Sequence, residues 1–143
     1  MHRYGSTVLR FGTKAHPGIF GFVGRPSMTL PLVTADERAR LLAHGAALAA
    51  GQQLDPLPVV RLFTPDAHAT WLLVSLDPVD GDTAYALVDL GIGLPSLGTV
   101  KLSDLAGIVG PRNFPVRRDR YFRAVRLLSE YVRLAQETGA ITD

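Results

Sequence analysis

Three short runs of β-branched, aromatic and aliphatic residues, separated by little more than turns, restrict this chain more than any other feature. Pro58-Val-Val-Arg-Leu-Phe63 stops at Thr64-Pro65-Asp66, Thr70-Trp-Leu-Leu-Val-Ser-Leu76 follows, and Asp77-Pro-Val-Asp-Gly-Asp82 leads into Ala84 to Leu90. Such runs suit a pleated surface, and the Pro, Gly and Asp between them are turn chemistry. Connections this short predict an antiparallel meander, because a parallel pair needs a crossover of a dozen residues or more. Gly91 to Gly98 is predicted to be a glycine-shaped loop, and Thr99-Val-Lys-Leu102 a short fourth strand.

Helices frame the meander. Thr34-Ala-Asp-Glu37 is a capping box, Leu41, Leu42, Leu48 and Ala49 keep helical spacing behind it, and Gly51 supplies a stop. Ser103 is predicted to cap a short helix from Asp104 to Ile108, ended by Gly110-Pro111. Near the C-terminus one helix from Asp119 to Glu137 would strand Leu127 and Leu134 among arginines. A helix starting near Leu127 gathers Leu128, Tyr131, Val132 and Ala135 into one apolar stripe and leaves Arg120 to Ala124 extended, and it is preferred. The expected fold is α+β: a single domain with an antiparallel sheet of about four strands, an N-terminal helix and C-terminal helices.

With 143 residues the chain has the length of one domain, and zero cysteines exclude disulfides, thiolate metal sites and a thiol nucleophile, as in a cytoplasmic protein. Residues 1–27 carry Arg3, Arg10, Lys14 and Arg25 with no acid, many glycines and no apolar run long enough for a secretory signal. They are expected to be a basic extension, with a start at Met28 as the alternative, and 28–143 the domain. No stretch is apolar enough to span a membrane. Within the domain the charge is segregated: residues 55–104 hold seven Asp against Arg61 and Lys101, whereas 105–143 hold seven Arg against four acids.

Several phrases, in order, resemble the family of the domain of unknown function 2958. They are Leu62-Phe-Thr-Pro-Asp66 with Ala69-Thr-Trp-Leu-Leu73, Asp89-Leu-Gly-Ile-Gly93 with Pro95 and Leu97-Gly98, Leu102-Ser-Asp-Leu105, and Pro115-Val116 with Arg118-Asp119 and Phe122. The likeness runs from about Leu30 to the end. It implies a small bacterial cytosolic domain often carried by plasmids and integrative elements, without an assigned activity or catalytic residues. Similar proteins often have Pro where Arg126 stands, which favours the shorter last helix. They commonly carry an acid and a His near the positions of Arg117 and Tyr121, so a role resting on those groups does not carry over.

Candidate chemistry is sparse. Asp77, Asp80 and Asp82 around Gly81 fail the spacing of a calcium loop and read as a turn. Gly91, Gly93 and Gly98 follow a strand, but Ser96 and Pro95 break the dinucleotide fingerprint, and Ser96 lacks a nucleophile elbow. His2, His16, His44 and His68 are scattered, so no metal site and no cofactor is expected. Asp66 and His68, with Asp77 or Asp89, are the candidate acid and base of a small enzyme, and Trp71 a candidate ligand platform. Arg112, Arg117, Arg118, Arg120 and Arg123, with Arg126 and the aromatics Phe114, Tyr121 and Phe122, form the densest cluster. The segment 112–126 can bind phosphate or nucleic acid, or its arginines can pair with the chain's own acidic middle. The leading expectation is a non-catalytic accessory or binding protein of a mobile genetic element, acting through a protein partner or as a homo-oligomer. Nucleic-acid binding and the Asp66/His68 enzyme are the alternatives.

Overall fold

The computed structural model describes residues 31–142; the expected extension 1–27 lies outside the described residues. The elements are α1 (Ala35–Ala49), β1 (Val60–Phe63), β2 (Thr70–Leu76), β3 (Thr83–Asp89), β4 (Ser96–Lys101), α2 (Leu102–Ala106), β5 (Arg117–Arg118) and α3 (Leu128–Thr138). The strands form one antiparallel sheet in the order β4-β3-β2-β1-β5, an α+β fold as expected.

The helices lie on opposite faces of this sheet. Leu41 of α1 and Leu102 and Leu105 of α2 pack with Leu62, Trp71, Leu73, Ala86 and Val88, while Leu128, Tyr131 and Ala135 of α3 pack with Leu72, Val74 and Leu87. Burial on both faces is why β2 reads as a continuous apolar run instead of alternating. A register shift between Leu73 and Ser75 turns Leu76 back to the α1 face. At that irregularity the Val74 carbonyl accepts from His44 Nδ1 at 2.8 Å. One residue on, Gly45 lets α1 sit on β2: a Cβ there would lie 1.7 Å from the Leu76 carbonyl oxygen.

The capping box forms as predicted, with Glu37 N–H donating to Thr34 Oγ1 at 3.1 Å and Thr34 N–H to Glu37 Oε1 at 2.8 Å. The last helix is the shorter of the two alternatives, starting at Leu128. Three details differ from expectation. The loop after β3 ends at Pro95, and Ser96 to Gly98 pair with β3. Lys101 occupies the cap position of α2, and Ser103 sits inside it with its hydroxyl donating to Asp82. Arg117 and Arg118 add a fifth, edge strand beside β1, too short to leave a periodic signal.

Candidate functional site

Six of the seven aspartates of residues 55–104 are placed by what their carboxylates accept. Asp77 and Asp80 close the β2–β3 turn, taking Val79 N–H at 2.8 Å and the N–H groups of Asp82 and Thr83 at 2.8 and 2.9 Å. The backbone donors, with the Thr83 hydroxyl, hold the Asp80 carboxyl at about 2, below its ordinary 3.8. Asp82 reaches the start of α2, accepting from Ser103 N–H at 3.0 Å. Asp55 does the same for α3, accepting from Ser129 N–H at 2.8 Å, and supplies the cap that Leu127 cannot. Asp89 takes Gly91 N–H at 2.8 Å and Ile141 N–H at 3.0 Å, and Asp66 takes Arg112 N–H at 2.6 Å. Six of the seven thus serve backbone donors, and none is within ion-pair distance of an arginine among the described residues. No group of three or more His, Asp or Glu able to hold a metal occurs among the described residues.

The expected acid and base do not share a hydrogen bond. Asp66 is drawn to the Gly110–Arg112 loop, so close that a Cβ on Gly110 would meet Asp66 Oδ1 at 1.7 Å. His68 instead lines an open pocket of about 430 Å³ with Arg61, Phe63, Thr70, Asp89 and Gly91. Its floor is the cross-strand row Phe63, Thr70, Asp89 on the α3 face. Asp89 there is occupied by its two backbone donors. Trp71 is 4% exposed and packed in the core against the opposite helix face.

The arginine segment is arranged differently. The pleat of β5 turns Arg118, opposite Leu62, toward the α1 face, where Nη2 donates to Glu37 Oε2, so the capping-box glutamate also neutralises this guanidinium. Its neighbour Arg117, opposite Phe63, is exposed. Asp119, the acid inside the segment, pairs with Arg61 at 3.1 Å. Arg112, Arg117, Arg120 and Arg123 are exposed, and their guanidiniums have no carboxylate within 4.0 Å among the described residues. Tyr121 is 84% exposed, with the Arg120 guanidinium 5.9 Å from its ring centre. Internal pairing therefore holds for Arg118 alone within the cluster, and with α1 instead of the acidic middle. Nothing in the sequence flagged Glu37 as its partner, because the two are 81 residues apart.

A family described as "Protein of unknown function (DUF2958)" matches residues 32–142. The chain belongs to this family. The match covers nearly the whole described domain, including the arginine segment and the pocket. No curated protein and no solved structure matches the chain. The family places no activity on any of the residues above.

Proposed function

We propose that the protein is a non-catalytic binding protein that contacts nucleic acid through the segment 112–126. The observation that carries this reading is the set of four exposed guanidiniums, Arg112, Arg117, Arg120 and Arg123, left without internal counter-ions among the described residues. Six of the seven aspartates of residues 55–104 are committed to backbone donors and none pairs with these arginines among the described residues, so binding an external polyanion displaces no internal pair there. Arginine forks match phosphate oxygens, and release of condensed counter-ions supplies the affinity. The family resemblance further supports a bacterial cytoplasmic setting and carriage on plasmids and other mobile genetic elements, where an accessory protein meets nucleic acid being processed.

The test is binding of labelled oligonucleotides at low salt by the wild type and by an Arg117→Glu, Arg120→Glu, Arg123→Glu variant. The wild type binds with affinity that falls steeply as salt rises, and the variant loses at least two orders of magnitude. Absent or salt-insensitive binding rejects the reading. A second reading, contact with a protein partner or a second copy, is favoured by Ile92 and Leu94, 70% and 75% exposed, beside the open edge of β4. An affinity pull-down from the native host with and without nuclease separates the two.

A further inference from the structure

We infer that the segment 117–125 takes single-stranded nucleic acid, with Tyr121 as a stacking platform for a base. The inference rests on the nucleic-acid reading above and adds which form of nucleic acid the site accepts.

Two features of the described residues carry it. The first is the path of the chain after β5. Asp119 makes a tight turn, its carboxylate accepting from Tyr121 N–H at 3.0 Å and its carbonyl from Phe122 N–H at 3.2 Å. Beyond the turn, which includes Arg120 and Tyr121, there is no helix until α3, and exposure alternates residue by residue: Arg123 and Val125 are exposed, while Phe122 and Ala124 pack into the α3-side core. Period-two exposure is the mark of an extended chain, in which alternate side chains share one side. The inward residues fasten the strap to the core, and the Val125 N–H donates to the Tyr131 hydroxyl at 3.1 Å. Tyr121, on the turn, and Arg123, on the strap behind it, are both exposed, an aromatic ring two residues from a free guanidinium. The Arg120 guanidinium lies within cation–π distance of the Tyr121 ring, while 84% exposure leaves ring surface for another planar group.

The second feature is where the positive charge is absent. A duplex keeps its bases stacked inside and is read by an element that enters the major groove. Here α3 carries Arg133 with Glu137 paired to it at 3.3 Å, and of the arginines of α1, Arg40 is paired with Asp36 at 3.4 Å and Arg38 donates to the Gly81 carbonyl at 2.8 Å. The unpaired arginines of the segment lie on the edge strand and the strap, outside any helix that could occupy the groove. An aromatic ring gains most from a base already free of its neighbours, and stacking on such a ring tolerates any sequence.

The experiment is fluorescence anisotropy with full-length protein, comparing labelled oligothymidylate with an equally long duplex at one low salt concentration. Single strand binds about tenfold or more tighter than duplex. Tyr121→Ala weakens single-strand binding by on the order of tenfold and leaves the weaker duplex binding unchanged, and Tyr121→Phe keeps the preference. Because the side chain is exposed, circular dichroism and thermal unfolding of both variants match the wild type. Equal affinity for the two forms, Tyr121→Ala binding oligothymidylate like the wild type, or polyglutamate competing as well as unlabelled oligothymidylate, overturns the inference. The first two outcomes leave the function reading standing, whereas binding of neither form removes both.

Discussion

Residues 55–104 and residues 112–126 are the acidic and the basic ends of this molecule's charge distribution, and they use charge in opposite ways. The aspartates are turned to the backbone, where they close the β2–β3 turn, cap α2 and α3 from a distance and hold the tail at Ile141. The exposed arginines form no ion pair among the described residues; half-buried Arg118, paired with Glu37, is the exception within the segment. One charged region is part of the architecture and the other is carried on it. Segregated charge in a sequence therefore does not imply that the two halves neutralise each other.

The sharpest test of this contrast is its exception. Arg118→Ala removes a half-buried pair and leaves Glu37 without its guanidinium, which should lower unfolding free energy by about 2 kcal/mol, measured by urea denaturation. A loss no larger than that of exposed Arg117→Ala would erase the distinction drawn within β5. Asp55→Ala should cost about 1 kcal/mol by uncapping α3, and hydrogen exchange should rise first at the amides of Ser129 and Glu130. Unchanged oligonucleotide binding in the same variant would show the aspartate to be structural only.

Asp80 sharpens the acidic side through pH. Its folded-state pKa of about 2 lies below the unfolded 3.8, so the carboxylate stabilises the fold above pH 3.8, and that contribution is lost as pH falls towards 2. Thermal unfolding of Asp80→Ala should accordingly fall short of the wild type by a constant margin near neutrality, with the gap closing through this window. The margin is small because the group is solvent-screened. A gap that persists unchanged to pH 2 would remove the carboxylate from the turn's energetics. Smallest of all, replacing Arg117, Arg120 and Arg123 together by Ala should shift unfolding free energy by less than about 0.5 kcal/mol. A larger loss would mean these side chains do hold the fold.

Much of this fold is legible locally. The capping box at Thr34, the meander from Val60 to Asp89 and the start of α3 near Leu127 are each written in a handful of adjacent residues. Long-range partnerships are not. Two residues of β5 acquire their pairing from β1, Asp82 outcompetes Ser103 as the ligand of the α2 terminus, and Asp55 caps α3 across 74 residues. Glycine tells a similar story: at Gly45 the requirement comes from the Leu76 carbonyl of another element, not from local conformation. Of the candidate site residues, sequence singles out the arginines by density but not which of them is spoken for. That depends on the pleat of β5, which sends Arg118 inward and Arg117 outward.

The central claim is that the exposed guanidiniums of the strap are free to meet phosphates. The direct measurement is the slope of log binding constant against log salt concentration for oligothymidylate, in the wild type and in the Arg117→Ala, Arg120→Ala, Arg123→Ala variant. Three lost contacts should flatten the slope by about 2, at roughly 0.7 per phosphate on a single strand. An identical slope in both proteins would contradict the account.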